Sequence, residues 1–290
     1  MFWNLLANEN TKNMRRSMLW IELGLLVIFI LLIHVLLFSV LQLNLGGEAA
    51  TAGSQAQLSD SLTWPGALTN VLNFVGGNVL GGLLLITFVG AVTAQEYSWR
   101  TLHLWLSRGT PRPGLLAAKF TALLLPILLV VLVALLSGAL VSGVFTVLLE
   151  GGLPLDQINI AHLALSLLRT AYTLLPYAAL TFLLAIATRS SVVAIGGGLA
   201  YSLLGEGLIL QMLGLLGGGV SKILAYLPAG LANSLMNLNM PAAQVQAQGG
   251  GLGMQVELLP PGPAAIGIAA WTLSFFGLAL WIFRRQDISN

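Results

Sequence analysis

"FTALLLPILLVVLVALLSGALVSGVFTVLL", residues 120–149, runs thirty residues without one charge. At ~1.5 Å per residue, a helix needs about 20 apolar residues to cross the ~30 Å hydrocarbon core of a bilayer. This stretch crosses with length to spare. The excess predicts a tilted span or a kink near Pro126, whose ring removes a backbone donor. Working outward, six stretches meet the same criterion: about 19–43, 68–94, 115–149, 163–187, 192–216 and 264–283. Composition agrees, with 8% charged and 57% hydrophobic residues, against ~25% and ~45–50% in an average soluble domain. A water-soluble surface cannot be built from that mixture. The fold class expected is all-α, a single transmembrane domain over residues 1–290 with six spans and no separate soluble domain.

The basic residues orient it. On a six-span frame, ten of the twelve Lys and Arg fall on one face. They are Lys12, Arg15 and Arg16 before the first span, Arg100, Arg108, Arg112 and Lys119 between the second and third, Arg189 between the fourth and fifth, and Arg284 and Arg285 at the end. That face is expected to be cytoplasmic, with both termini on it. Glu48, Asp60, Glu150, Asp156 and Glu257 fall opposite, where Lys222 is the loop cation. A net charge of +2 spread over loops in this way orients a membrane protein and offers no basic face to nucleic acid. Absence of Cys excludes disulfides, thiol catalysis and cysteine metal sites. The basic cluster at the start precedes an apolar run too long for a signal-peptide core, so it introduces a retained first span. Among the outer connections, residues 46–66 read as a solvated linker, and 242–263, rich in Gly, Gln and Pro, as a flexible loop. "KILAYLPAGLANSLM", residues 222–236, is apolar but broken by Pro228 and Gly230, as short interfacial or re-entrant helices are.

The second-to-third connection is unusual. "EYSWRTLHLWLSRGTPRPGLLAAK", residues 96–119, is charged, aromatic and stopped by prolines. As a helix it puts Glu96, Arg100, His103 and Ser107 on one stripe, with Tyr97, Trp99, Leu102, Leu104, Trp105 and Leu106 around the rest. Glu96 and Arg100 are spaced for an i,i+4 pair, worth ~0.2–0.5 kcal/mol in an isolated helix. Gly109 suits the end of that helix, and Pro111 or Pro113 the start of the next. Two readings stand: an interfacial anchor, or a docking surface whose movement passes into two spans.

This segment resembles the connection between the second and third spans of ABC type-2 exporter permeases, the bacitracin- and multidrug-exporter-like group. Glu96, Thr101, Leu102, Arg108, Arg112 and Lys119 match the family's pattern, and Arg100 stands where Gly is usual. "NENTKNMRRSMLWIEL" is similar to the family's amphipathic N-terminal helix, with Glu9 and Lys12 at the expected spacing. "WIFRRQDI" resembles its closing signature, with Gln286 in a usually basic position, and "YLPAG" resembles its outer-face segment. The resemblance implies a multi-pass subunit of a bacterial or archaeal cell membrane, the inner membrane where there are two. It implies a coupling helix between spans 2 and 3 and an amphipathic N-terminal helix, both cytoplasmic, which receive two separate ATPase subunits. Glu96, Trp99, Arg100, Thr101, Leu102, Trp105, Arg108, Glu9 and Lys12 would carry the coupling. A second permease subunit, expected to be identical, would complete the exporter, and ATP and Mg would be bound by the partner ATPase. The chain's own lysines, Lys12, Lys119 and Lys222, neither follow Gly nor precede Ser or Thr, so no phosphate-binding loop is present and no cofactor is expected on this chain. Few fixed charges in the spans favour an amphiphilic cargo such as a peptide, drug or lipid.

Ionisable groups inside spans are costly and mark candidate sites. Arg169 and Glu206 lie 20 and 17 residues from the turn at Arg189, at similar depth on straight helices, and are expected to pair, either to fix packing or to line a path. Asn73, Asn78 and the Gly77-x-x-x-Gly81 pattern in the second span, with Gln211 and the run Gly196, Gly197 and Gly198 in the fifth, are candidates for close helix packing. By resemblance these two spans would border the dimer interface and the export path. His34 and His162 are isolated, with no metal-ligand spacing, and Glu22 reads as an interfacial residue without a site role. Three other function classes compete. An intramembrane serine protease would want a Gly two residues before the Ser, which "LLSG" and "LVSG" lack. A secondary transporter would want buried carboxylates in related halves. A structural subunit of a larger complex makes no demand that the residues exclude.

Overall fold

The structure is a computed structural model that describes residues 2–43, 52–99, 105, 110–209, 212, 219–240 and 258–286. Every regular element among these is helical. In chain order they are α1 (Phe2–Met14), α2 (Ser17–Gln42), α3 (Ala52–Leu62), α4 (Gly66–Val75), α5 (Leu80–Ser98), α6 (Arg112–Ala122) and α7 (Leu124–Glu150). There follow α8 (Ile160–Thr173), α9 (Leu175–Thr188), α10 (Ser191–Leu199), a π-helical stretch Ala200–Ile209, α11 (Gly219–Leu224), α12 (Pro228–Met236) and α13 (Pro261–Arg285). Six segments are long and apolar enough to cross a membrane: Ser17–Gln42, Gly66–Ser98, Arg112–Glu150, Ile160–Thr188, Ser191–Leu208 and Pro261–Arg285. The first four and the sixth overlie the expected spans; the fifth does so as far as Leu208, and most of its expected remainder to residue 216 lies outside the described residues.

Three of the six are interrupted, each for a local reason. In the third, α6 gives way to α7 at Leu123, three residues before Pro126, near which the kink was expected. Pro126 cannot donate to the Ala122 carbonyl, and that carbonyl instead accepts from Asn13 Nδ2 of α1 at 3.4 Å. In the fourth span Pro176 separates α8 from α9 in the same way. The second span breaks between α4 and α5, where Gly77 adopts φ +60°, a conformation that costs a side-chain residue 1 kcal/mol or more, roughly. A Cβ on Gly81 would lie 2.2 Å from the Val75 carbonyl. The Gly77/Gly81 pattern therefore builds a break in the span, and at Gly77 it also lets α12 come close, where a Cβ would meet Ala232 at 3.3 Å. Close approach of the second and fifth spans is made elsewhere: a Cβ on Gly90 would meet Ile195, and one on Gly198 would meet Ile86, both at 2.7 Å.

The linker expected before the second span is in part the helix α3, after which Trp64 is pinned to α7, its backbone N–H on Thr146 Oγ1 at 3.0 Å and its indole on Ser142 Oγ at 2.9 Å. The core lies among α4, α5, α7, α9 and the inward side of α13, with Phe88, Phe182 and Phe283 fully buried. Outward faces carry exposed Leu25, Ile28, Leu32 and Leu36 on α2 and Ile266, Leu273 and Leu278 on α13. Such faces would be unstable in water and are at home against lipid tails. The short helices expected after the fifth span are α11 and α12, and α12 packs on α8 and α13.

Candidate functional site

The amphipathic helix α1 buries Leu5, Glu9 and Asn13, one residue per turn, against α6. Burying a carboxylate is tolerable only with partners. Glu9 finds Lys119 Nζ of α6 at 2.8 Å and Lys12 of its own helix at 3.8 Å. Glu96, three residues from the end of α5, takes the other side of both lysines: Lys12 meets its Oε1 and Lys119 its Oε2. The four groups close a ring of alternating charge with no net charge. Glu9, Glu96 and Lys119 are nearly inaccessible, while the Lys12 side chain keeps 29% of its surface. Arg16, between α1 and α2, donates to Gln95 Oε1 and lies 5.5 Å from the Trp99 ring centre. Burial lowers the Arg16 pKa, and the nearby Glu96 and Glu9 oppose that shift, so the guanidinium stays charged.

These side chains join three elements remote in sequence: the N-terminal helix, the end of the second span and the start of the third. Glu9, Lys12 and Glu96 were singled out from the sequence, and the structure brings them together. Lys119 was read there only as part of a motif, and Asn13 was missed; its place one turn after Glu9 on the buried face of α1 was the available signal. Trp99 is 62% exposed. Trp105 is half-buried, packs on the core, and its carbonyl accepts from the Thr110 N–H at 3.3 Å. Arg100, Thr101, Leu102 and Arg108 lie outside the described residues, as does the expected Glu96–Arg100 pair. Because Glu9 and Glu96 are buried, they can position this end of the bundle but offer little surface to a partner.

The Arg169–Glu206 pair expected from depth is not formed. Glu206 Oε2 accepts from Tyr177 O–H at 2.6 Å, and its Oε1 accepts from Tyr201 O–H at 3.0 Å and from the Ala229 N–H at the start of α12 at 3.2 Å. Arg169 instead donates to the Leu238 carbonyl at 3.2 Å and to Asn239 Oδ1 at 3.5 Å. The depth argument assumed straight helices, whereas the break at Pro176 and the π-helical stretch carrying Glu206 turn the two residues to different neighbours. Asn73 keeps both amide atoms buried without a partner, and the Asn78 carbonyl accepts from Ser202 Oγ at 3.4 Å, linking the second and fifth spans. Gln211 lies outside the described residues. Glu22 is buried against the second span, where it accepts from Thr87 Oγ1 at 2.7 Å. His34 donates to the Ile30 carbonyl within its own helix, and His162 donates to the Leu238 carbonyl, joining α8 to the segment after α12.

Residues 56–289 match a family described as a protein of unknown function, DUF2705, and the chain belongs to that family. The uncharacterized protein YhcI of Bacillus subtilis (strain 168) is 26% identical over 140 residues. That match covers 44% of this chain and 44% of the relative, so it spans less than half the relative's length.

Proposed function

We propose that this chain is the permease subunit of an ATP-driven ABC exporter, coupled in trans to two ATPase subunits and paired with a second permease. The observation that carries the reading is the closed ring of Glu9, Lys12, Glu96 and Lys119. It fastens the N-terminal helix to Glu96 and Lys119, the two ends of the 96–119 stretch whose sequence resembles the family's coupling segment. A push on that segment is thereby transmitted into α5, α6 and α1 together. Exposed Trp99 and the basic residues gathered at the same end supply the surface on which an ATPase would press, on the cytoplasmic side. Closure of the ATPases would shift the permease pair between inward and outward openings, as a rigid-body transition. The apolar spans favour an amphiphilic cargo: a peptide, drug or lipid.

Purification of the tagged chain from its native membrane in mild detergent tests this. A nucleotide-hydrolysing subunit should co-purify, and Trp99→Ala with Arg108→Ala should release it while leaving the chain folded. Recovery of the chain with no such subunit would sink the proposal. One observation favours a second reading, a cation-driven secondary transporter: Glu206 is buried with hydroxyl and backbone donors and, among the described residues, no lysine or arginine bonded to it. That reading requires transport without any ATPase in the preparation.

A further inference from the structure

The C-terminus grips the same end of the bundle as the N-terminal helix, through Gln286. Its Nε2 donates to the Ile186 carbonyl near the end of α9 at 2.7 Å, and its Oε1 accepts from Tyr97 O–H at 3.1 Å. Its backbone carbonyl accepts from Arg112 Nη1 at 3.1 Å, and the same nitrogen reaches the Arg284 carbonyl at 2.8 Å. The last carbonyls of α13 have no partner within their helix, and a guanidinium is well suited to them. The Arg189 guanidinium lies 5.8 Å from the Tyr97 ring centre.

We propose that Gln286 is a positioning residue which, with Arg112, holds the end of α5 and the start of α6 at a fixed separation. This rests on the coupling role proposed for those two flanks. Glu96 is held by α1, and the next residue, Tyr97, is held by the residue that ends α13. On α6, Lys119 is held by Glu9 of α1, and Arg112, seven residues earlier, by the end of α13. Each flank is thus fastened twice, once by each end of the chain. The amide makes both bonds as they stand, a donor for the Ile186 carbonyl and an acceptor for the Tyr97 O–H; Lys or Arg would have to reverse the Tyr97 bond, and an ionised carboxylate has the acceptor but no donor. A basic residue at this position would also add a cation beside Arg112 and Arg189.

The chain has no Cys, so spin labels placed by Ser98→Cys at the end of α5 and Pro111→Cys just before α6 are unique. Both positions are exposed. Distance distributions measured on the purified full chain should be narrow with Gln286 present. Tyr97→Phe should broaden them, populating a separated arrangement roughly two- to tenfold more, the range expected from one lost hydrogen bond. Gln286→Ala, which also loses the bond to Ile186, should broaden them further, and the double variant should go no further than Gln286→Ala alone, because the Tyr97 bond is already gone there. Gln286→Lys should broaden them at least as much. Unchanged distributions in Gln286→Ala, or additive broadening in the double variant, would overturn the proposal. ATP hydrolysis by the co-purified complex supplies the functional arm and should fall in Tyr97→Phe at unchanged protein level. Broadening without any co-purifying ATPase would leave the tie standing and remove only the coupling reading.

Discussion

Among the buried carboxylates of this bundle, Glu96 and Glu206 are stabilised in opposite ways. Glu96, at the end of the second span, is balanced by charge: two lysines from two other elements, shared with Glu9. Glu206, inside the fifth span, is balanced by dipoles: two tyrosine hydroxyls and the first free N–H of α12. A charge ring can join flexible parts, because lysine and glutamate side chains reach several ångströms and adjust. A carboxylate satisfied by hydroxyls and a backbone N–H fixes its neighbours in one arrangement. The first belongs where elements must move as a unit, the second where helices must stay put.

The sharpest way to break the comparison is to unbalance the ring. Lys119→Met leaves Glu9 and Glu96 sharing Lys12, and should cost about 3–5 kcal/mol, the usual result of orphaning a buried charge. Loss of folded protein at a lower temperature in detergent would report it; an unchanged midpoint would show that water already screens the ring. Next in size, Glu206→Ala strips an acceptor from buried Tyr177 and from the Ala229 N–H, about 1–3 kcal/mol for each group left unsatisfied. Glu206→Gln keeps an acceptor oxygen and should lose markedly less. Equal losses in the two variants would mean that the negative charge matters there as it does at Glu96. Smaller again, Asn13→Leu forfeits the bond to the carbonyl freed by Pro126, about 1 kcal/mol. Tyr201→Phe should be the mildest, about 0.5–1.5 kcal/mol, since Oε1 of Glu206 retains the Ala229 N–H.

Much of this architecture was legible in residue order. Thirty uncharged residues dictate a span whatever their neighbours, and Pro126 in that run dictates where it bends. The Gly77/Gly81 pattern, read for close packing, also hid a break, because close helix packing and a chain break want the same residue. Only the neighbouring backbone, which leaves Gly77 at positive φ, reveals the break. The Arg169–Glu206 pair failed for a related reason: depth along a helix is countable, but the direction of a side chain past two breaks is not. At the ring, sequence identified Glu9, Lys12 and Glu96 but could not tell that the bonding partner of Glu96 would be Lys119, 23 residues onward. Charge complementarity alone leaves several pairings open, and packing of α1 on α6 selects one. Gln286 shows the same limit, since its three partners come from the ends of three other spans.

Charge exchange, read on stability and on co-purifying ATP hydrolysis together, tests the central claim most directly. In a closed ring, exchanging only Glu96→Lys with Lys119→Glu puts lysine against Lys12 and glutamate against Glu9, so the account predicts loss of both stability and ATPase activity. Exchanging all four, Glu9→Lys, Lys12→Glu, Glu96→Lys and Lys119→Glu, rebuilds the alternation and should restore both. A two-residue exchange that behaves like the parent, or a parent preparation with no nucleotide-hydrolysing subunit, would contradict it.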